Sequence, residues 1–391
     1  MQLVAQQDPT LQQELLAIDG ARAQVRQSRL WENPVLDAAV GTIPLGTPNP
    51  PELPAPLSNV PNYGVGLSLH PDLARRPQRQ GQARAQLGAA QAQLRASIRE
   101  RALELARVLG ALAVTALRLD AKRGLAEQAR EALRIAQIRV ESGYNAPLDA
   151  SRAEIEQLRL EEQTLALEGE LTAALASCAE YLGTRCQPFA SSQEARDFLV
   201  GWPRQAADQG VPSPAALEQR PSLQVLLAQR MAAEADERLA RAQLVPDPTV
   251  RLGYLYDTFV ASGNQRHSLN VSLALPLPIF DHGQAAAQAA AARVYRLENE
   301  RQRRATAAQA HIEALRASLF LQQRRLETLR NKTLPRARAI LSDLARAFEL
   351  RTLRLTELLQ ARNTLDELLL AEADTLSDSF NTALDLLGQL P

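Results

Sequence analysis

The chain has 391 residues, and its 44 Lys and Arg residues balance 44 Asp and Glu residues, so the formal net charge is zero. This balance excludes the strongly basic surface that nucleic-acid-binding proteins use. Aromatic residues make up only 4% of the chain, which is low for a large globular core and typical of long helices packed side by side. No run of 18 or more apolar residues occurs, so we predict no transmembrane helix.

The start of the chain and its cysteines bear on the cellular compartment. The first residues, MQLVAQQDPTLQ, lack the charged region, apolar core and small-residue cleavage site of a signal peptide. We therefore expect either a cytosolic protein or a mature or engineered form of an exported one. Cys178 and Cys186 could form a disulfide in an oxidising compartment, and two small buried residues near a helix end are the equal alternative.

No cluster of reactive side chains indicates catalysis. The four histidines are His70, His267, His282 and His311, and no pair of them has the spacing of metal ligands. The sequence contains no P-loop, no glycine-rich phosphate-binding loop and no nucleophile elbow. We therefore expect no enzyme activity, no cofactor and no metal site.

The chain reads as a tandem duplication. The segments DPTLQQELLAIDG, from Asp8, and RPSLQVLLAQRMA, from Arg220, both place Pro, a hydroxyl residue, Leu and Gln at the start of an amphipathic helix. Farther along the chain, YGVGLSLHPDLARRPQ in the first half matches LNVSLALPLPIFDHGQ in the second half. Asp8-Pro9 and Ser213-Pro214 are helix starts in which a capping residue precedes proline. Each half is predicted to contain a helix, two strands, a long helix, a turn and a final helix, in that order.

These matches set the predicted bounds. The first repeat covers 8–183, a connecting segment covers 184–220, and the second repeat covers 221–387. In the first repeat we expect strands at about 34–41 and 62–70, a long helix at about 77–143 and a helix at about 148–183. In the second we expect strands at about 248–257 and 267–275, a long helix at about 282–350 and a helix at about 354–387.

Both long helices carry residues at seven-residue spacing, which is typical of a coiled coil. The first series is Ile98, Leu105, Leu112, Leu119, Ala126, Leu133 and Val140. The second is Ile312, Leu319, Leu326, Thr333 and Ile340. At 1.5 Å per residue, helices of about 65 residues extend about 100 Å, which suits a structure that crosses a wide gap. Pro335 removes an internal hydrogen bond at a cost of about 3 kcal/mol, so we predict a kink there and no break.

The predicted strands alternate apolar and polar residues. In the second repeat the apolar positions are Val250, Leu252, Tyr254 and Tyr256 in one strand and Leu269, Val271, Leu273 and Leu275 in the next. One interpretation is a sandwich sheet whose apolar face packs on a core. The other is a transmembrane barrel whose apolar face contacts lipid while the polar face lines a lumen. Four strands are too few to close such a barrel, but three copies of the chain supply twelve.

Three segments carry a resemblance to a known family: the strand entry PDPTVRLGY, the strand-to-helix passage LPLPIFDHGQAAAQAA and the turn RVESGYNAPLDASRAE. Within a duplicated plan, they resemble the TolC family of outer-membrane efflux proteins. The resemblance covers about Asp8 to Leu387 and is greatest to the outer-membrane components of heavy-metal (cobalt–zinc–cadmium type) RND efflux systems. It implies a mostly α fold with a small transmembrane β part.

The resemblance also implies an assembly and a function. Three copies would form a 12-stranded β-barrel in the outer membrane of a Gram-negative bacterium, continuing into a periplasmic α-helical coiled-coil barrel with 184–220 at its equator. This homotrimer would be a passive exit duct for solutes, with heavy-metal cations among the candidates. The implied partners are a periplasmic membrane-fusion adaptor, an inner-membrane RND transporter and outer-membrane lipid, without nucleic acid or cofactor.

A different class of function is kept as the alternative: a periplasmic coiled-coil adaptor or scaffold protein without a membrane-spanning barrel. An adaptor has one central helical hairpin flanked by glycine-rich, lipoyl-like halves. This chain is predicted to have two hairpins, each after its own strand pair, which favours the duct.

The resemblance assigns roles to residues near the two helical turns. Glu357 stands at the first position of an acidic ring that narrows the pore, and Gln360 stands where a second acid is usual. Three copies of Glu357 would attract cations, although a solvated carboxylate near a helix N-terminus is an equally good interpretation. The turns are implied to bind the adaptor. The residues concerned are Arg139, Gly143, Asp149, Arg351 and Arg354, with Arg351 in place of the usual glycine.

Overall fold

The computed structural model describes residues 8–46, 55–142, 147–242, 245–258, 265–350 and 352–391. The helices are α1 (Pro9–Gln27), α2 (Pro56–Asn59), α3 (Arg76–Glu141), α4 (Pro147–Leu182), α5 (Ser192–Asp208), α6 (Pro214–Leu217), α7 (Pro221–Arg241), α8 (Gln284–Thr328), α9 (Leu334–Glu349) and α10 (Leu355–Gln389). A π-helical turn, Leu329–Thr333, joins α8 to α9. The strands are β1 (Val35–Gly41), β2 (Asn62–Leu69), β3 (Thr249–Asp257) and β4 (His267–Ala274). The prediction of a mostly helical chain with a small sheet is confirmed.

Capping residues fix where two of the helices begin. The Asp8 carboxylate accepts a hydrogen bond from the backbone N–H of Thr10 at 2.8 Å, as the predicted cap requires. Ser213 Oγ likewise accepts from the N–H of Ala216 at 3.2 Å. The helix that follows Ser213 ends after one turn, however, and the long amphipathic helix α7 begins only at Pro221.

The predicted connecting segment 184–220 contains two helices, α5 and α6. The start of α6 after Ser213 was predicted, whereas α5 was not. Ser191 caps α5 by accepting from the N–H of Glu194 at 3.2 Å. Ala195 and Leu199 of α5 are fully buried in a cluster with residues of α10. The proline inside α5, Pro203, concealed this element because a proline within a short pattern argues against a helix.

The π-helical turn shifts the coiled-coil seam by one residue. Before the turn, Ile312 and Leu319 are buried, in agreement with the predicted seam. A π turn closes i→i+5 hydrogen bonds, here from the N–H of Leu334 to the carbonyl of Leu329, and thereby adds a residue to the turn. The predicted seam position Ile340 is 55% exposed and is therefore wrong. The buried series after the turn is Leu334, Leu341 and Phe348.

Pro335 lies in the first turn of α9, directly after the π turn. The chain stays helical on both sides of Pro335, so the predicted absence of a break is confirmed. Proline has no backbone N–H and its ring crowds the preceding turn. A wider π turn at this position accommodates both defects and is a common cause of helix kinks. The kink itself stays a prediction.

The chain divides into two compact units. Unit 1 consists of Met1–Glu14, Gln93–Gln224 and Gln302–Pro391, and unit 2 of Leu15–Ala92 and Val225–Arg301. Unit 1 is helical, whereas unit 2 contains the sheet. Each unit takes segments from both predicted repeats, so a repeat is not a separate compact domain. The tandem duplication stays a prediction about the order of elements along the chain.

In the core of unit 1, Gly110 of α3 gives room to an aromatic ring of α10. A Cβ atom at Gly110 would lie 2.2 Å from Cε1 of Phe380. Phe380 is 1% exposed, and its ring centroid lies 5.5 Å from that of Phe198 and 6.2 Å from that of Trp202. The glycine is therefore required by the close approach of two packed helices.

We expect Gly110→Ala to lower the free energy of unfolding, because the added methyl group must displace the Phe380 ring from a packed core at a cost of about 1–3 kcal/mol. The preference for alanine over glycine in a helix offsets roughly 1 kcal/mol of this cost, so the net loss should reach about 2 kcal/mol. Gly124→Ala, in the same helix, is the matched control, since no atom lies within 4 Å of its added Cβ. Denaturant unfolding followed by circular dichroism compares the two variants, and equal effects would contradict the packing argument.

The sheet of unit 2 has the strand order β1-β2-β3-β4, and every neighbouring pair is antiparallel. The register places the apolar positions of all four strands in rows on one face. One row is Leu36, Leu67, Leu252 and Val271, and the next is Ala38, Val65, Tyr254 and Leu269. Within the described residues, β1 pairs only with β2 and β4 only with β3. The sheet therefore has two open edges.

The apolar face of the sheet is exposed in the single chain. Three of the predicted lipid-facing residues, Leu269, Val271 and Leu273, are 69%, 72% and 69% exposed. Tyr256 is half-buried. The others, Val250, Leu252, Tyr254 and Leu275, are also exposed. A sandwich sheet would cover this face with its own core, so the exposure argues against the sandwich interpretation.

Candidate functional site

The α3–α4 and α9–α10 turns rest on one shared hydrophobic cluster of unit 1. Ala136 of α3, Ala153 of α4, Phe348 of α9 and Leu355 of α10 are all buried in it. Long-range packing thus holds the ends of four helices in a single structure. The predicted constriction and adaptor-binding residues lie on or beside these ends.

Arg139 lies inside this structure. Its side chain belongs to the buried residues, its guanidinium carbon is 4.0 Å from the centroid of the Phe348 ring, and its Nη1 donates to the carbonyl of Leu353 at 3.4 Å. A cation over an aromatic face is a favourable contact, so Arg139 of one turn supports the other turn from within. Direct contact between Arg139 and an adaptor would require this side chain to leave its present position.

The other predicted docking residues differ in their placement. Gly143 and Arg351 lie outside the described residues. Asp149 is half-buried in the first turn of α4, where a negative charge interacts favourably with the helix dipole. Arg354 is exposed at the N-cap position of α10, with an extended backbone and no side-chain capping bond. Arg354 therefore presents its charge at the surface of the second turn.

Glu357 and Gln360 lie on one exposed face of α10. Residues three apart on a helix are neighbours, and both of these side chains are exposed. Leu355 and Leu358, on the opposite side of the same turns, are 1% and 3% exposed and pack in the cluster beneath the turns. The two predicted constriction residues are thus brought together and directed away from the core of their own chain.

A groove of about 420 Å³ lies between α3, α9 and α10, close to the same cluster. Arg362, which is only 3% exposed, lines it and donates from Nη2 to the carbonyl of Gln128 at 3.2 Å. Burial lowers the pKa of the Arg362 guanidinium, and the Glu156 carboxylate acts in the opposite direction. Sequence analysis did not single out Arg362, because an arginine on a mixed helix usually lies in solvent.

A buried ion pair connects three helices farther from the turns. Lys122 Nζ of α3 donates to Asp366 Oδ2 of α10 at 2.7 Å and to Gln163 Oε1 of α4 at 2.8 Å. The Lys122 and Asp366 side chains are only 7% and 12% exposed. Charges that are this far from water need a partner, so the three side chains fix the relative positions of their helices.

A second buried carboxylate, Glu372 of α10, binds two arginines. Arg196 of α5 and Arg330 of the π-helical turn both form ion pairs with Glu372, the second at 3.2 Å. The Glu372 side chain is 5% exposed. This carboxylate therefore ties α5 and the π turn to the same point of α10.

The polar face of the sheet carries an ion pair that crosses a strand. Arg251 of β3 binds Asp37 of β1, with Nε 3.1 Å from Oδ1. Between them lies Gly66 of β2, where an added Cβ would be 2.7 Å from Arg251 Nε and 2.8 Å from Asp37 Oδ1. The glycine inside this strand thus makes room for a charged bridge over the middle of the sheet.

A disulfide joins Cys178, near the end of α4, to Cys186 in the segment that follows. Both residues are buried in a cluster that includes Leu112 of α3. Of the two interpretations that the sequence left open, the structure supports the disulfide. Such a bond is typical of proteins in an oxidising compartment.

The described residues contain neither a cluster of metal ligands nor a helix suited to span a membrane. No group of three or more His, Cys, Asp and Glu side chains in the described part of the chain could hold a metal ion. Among the helices of the described residues, none combines the length and the apolar character needed to cross a membrane.

Comparison with known proteins places the chain in a family. A family described as outer membrane efflux protein matches residues 1–184 and 213–386. The cobalt-zinc-cadmium resistance protein CzcC of Cupriavidus metallidurans is 24% identical over 265 residues, which is 66% of this chain and 60% of that protein. The match therefore spans less than two thirds of CzcC.

Solved structures share the fold. The outer-membrane channel OprN is 18% identical with a TM-score of 0.76, over 99% of this chain and 88% of OprN. CusC is 18% identical with a TM-score of 0.74, over 99% and 90%. The outer membrane protein VceC of Vibrio cholerae is 16% identical with a TM-score of 0.75, over 99% and 94%. Since the family match covers most of the chain, this protein belongs to the outer membrane efflux protein family, the TolC-type proteins of the Gram-negative outer membrane.

Proposed function

We propose that three copies of this chain assemble into a passive exit duct of a tripartite efflux pump. The observation that carries the proposal is a four-stranded sheet with one exposed apolar face and two open edges. Unpaired edge groups are not tolerated in lipid, so strands that span a membrane must close into a barrel. In the proposed trimer, β4 of each copy pairs with β1 of the next, and three sheets form a 12-stranded barrel.

The two faces of the sheet suit such a barrel. The apolar rows would contact lipid, and the polar face with the Asp37–Arg251 bridge would line the lumen. The proposed lipid-facing residues are Val250, Leu252, Tyr254, Tyr256, Leu269, Val271 and Leu273 in β3 and β4, together with Leu275 directly after β4. The helices of three copies would continue the barrel into the periplasm, with 184–220 at its equator.

The cargo and partners are further parts of the proposal. The name of the relative CzcC supports an assignment to heavy-metal efflux, so we infer that heavy-metal cations pass through the duct. An inner-membrane RND transporter would supply the energy and a periplasmic adaptor would connect it to the turns. At the turns, Arg354 and Asp149 are the charged candidates for adaptor contacts.

Assembly and conductance test the proposal together. Native mass spectrometry of the protein in mild detergent should give a trimer, and planar bilayers should show discrete conductance steps. Fractionation of cells should place the chain with the outer membrane. A monomer that remains wholly in the soluble periplasm and forms no channels would instead support the adaptor or scaffold alternative.

Glu357→Gln should reduce the cation preference of single channels. In the proposed trimer three exposed carboxylates ring the narrow end, and a ring of acidic side chains favours cations. The reversal potential in a salt gradient should therefore move toward the value of an unselective pore. Gln360→Glu, on the same face of α10, is the complementary variant and should increase the cation preference. An unchanged reversal potential in both variants would remove these residues from the constriction.

A further inference from the structure

The segment after β4 leaves apolar side chains without a cover in the single chain. Leu277 and Ile279 are each 69% exposed and Phe280 is 90% exposed. Two local hydrogen bonds nevertheless order this segment. The Ile279 N–H donates to the Leu277 carbonyl at 2.9 Å, and Gln284 Nε2 donates to the Phe280 carbonyl at 3.2 Å. An ordered apolar surface of this kind indicates a contact.

The segment before β1 presents a second ordered apolar surface. Leu30 and Trp31 are 56% and 52% exposed. Two arginines of α3 hold them in place: the Arg76 guanidinium lies 4.0 Å from the centroid of the Trp31 ring, and Arg79 Nη2 donates to the Leu30 carbonyl at 3.1 Å. We call Leu30 and Trp31 the Trp31 surface. It borders an open groove of about 560 Å³ between the end of α1 and α3.

Within one chain these two surfaces lie at opposite edges of the sheet. β1 and β4 are separated by β2 and β3. Neighbouring strands are about 4.8 Å apart, so the two edges are about 14 Å from each other. Phe280 accordingly does not line the groove beside its own Trp31, and its side chain is 90% exposed.

Closure of the proposed barrel brings the two surfaces together between copies. β4 of one copy would pair in the antiparallel sense with β1 of the next, as all neighbouring strands do here. In an antiparallel pair, the residues that follow one strand lie beside the residues that precede the other. The segment 277–280 of each copy must then emerge next to the Trp31 surface of its neighbour.

We infer that residues 277–280 of each copy pack on the Trp31 surface of the next copy, with Phe280 as the main contact. This inference rests on the proposed trimeric duct. The occupant is a second copy of the chain, because only the neighbouring copy has an edge that continues the sheet. Aromatic rings such as Phe280 and Trp31 bury a large area and add a favourable pair interaction. The trimer would contain this contact three times, once at each junction between copies, at the end of the barrel where the strands are followed by helices.

Cysteine crosslinking of the full chain tests the inference. The double variant Trp31→Cys/Phe280→Cys, treated with a flexible bismaleimide, should give covalent dimers and trimers on a denaturing gel. The native disulfide leaves no other free cysteine. The matched control is Leu45→Cys/Phe280→Cys. Leu45 is 96% exposed, but it follows the end of β1 that is opposite to Trp31. The two ends of a strand of this length are about 23 Å apart. The control pair should stay unlinked.

Four other results would overturn the proposed contact. A trimer in native mass spectrometry without crosslinks overturns this contact and leaves the proposed duct intact. A monomer overturns both. Equal crosslinking of the test and control pairs would show random collision and also overturn the contact. If the cysteine of Phe280→Cys reacts only with a lipid-soluble maleimide, the segment faces lipid and the inference is wrong.

A thermal measurement gives an independent test. Phe280→Ala and Trp31→Ala should each lower the temperature at which the trimer dissociates. The double variant should lower it by less than the sum of the two single effects, because contacting residues are not additive. Tyr295→Ala, at an exposed aromatic residue of α8, should leave the temperature unchanged. Fully additive effects of Phe280→Ala and Trp31→Ala would contradict a direct contact.

Discussion

Replacing Asp366 with alanine should lower the free energy of unfolding by about 3–5 kcal/mol. The substitution leaves the Lys122 ammonium group in a site where its side chain is only 7% exposed. Gln163, the remaining partner at 2.8 Å, is neutral and cannot balance the charge. The cost is therefore the free energy of an uncompensated buried cation and not only the loss of one hydrogen bond. Denaturant unfolding followed by circular dichroism measures it.

A double variant separates this explanation from a simple loss of packing. Lys122→Met/Asp366→Leu removes both charges and keeps apolar volume in the site. Replacing a buried ion pair by apolar residues is often neutral or stabilising, so the double variant should be far more stable than Asp366→Ala. If the double variant were as unstable as the single one, shape and not charge would dominate at this position.

An exposed ion pair on the same helix supplies the matched control. Arg123 and Glu168 also connect α3 to α4, at 2.7 Å, but their side chains are 59% and 42% exposed. Exposed pairs contribute about 0–1 kcal/mol, because water screens the charges. Glu168→Ala should therefore change stability by less than 1 kcal/mol. A large loss in this control would mean that any α3–α4 contact is critical, whatever its burial.

The sequence predicts the sheet better than it predicts the helical core. Alternation with a period of two determines which strand residues share a face, and the observed register does place Leu67, Leu252 and Val271 in one row. The heptad pattern succeeds for Ile312 and Leu319 but fails after the π-helical turn. The added residue in the π turn moves every later buried position of the heptad pattern by one. Pro335 indicated where the helix is irregular, but the sequence did not reveal the added residue.

The long-range polar contacts could not be predicted from the sequence. Lys122 and Asp366 are 244 positions apart, and Arg251 and Asp37 are 214 apart. Each residue looks locally like an ordinary solvated charge on a helix or strand. Only the tertiary fold determines which charge is buried and which partner it meets. The same reason explains Arg139, for which a surface role was expected and whose side chain is buried over Phe348.

Val271→Arg should destabilise the membrane-inserted protein by about 2–4 kcal/mol, since in the proposed barrel it places a charge against lipid near the middle of a strand. Val271 is 72% exposed and lies in the row of Leu252 and Leu67. Leu273→Arg, nearer the end of β4, should cost less, because the penalty falls toward the membrane interface. Urea unfolding of protein folded into lipid vesicles measures both variants.

Asn270→Arg is the control that makes this test specific. Asn270 precedes Val271 in β4, is also exposed, and pairs with Gly253 on the opposite face. If that face lines a water-filled lumen, an arginine there keeps its hydration, and stability should change by less than about 1 kcal/mol. The reverse order, with Val271→Arg tolerated and Asn270→Arg destabilising, would mean that the apolar face is covered by protein or turned toward water. The chain could then not form a lipid-embedded duct, because no other face of the sheet is apolar enough to contact the hydrocarbon.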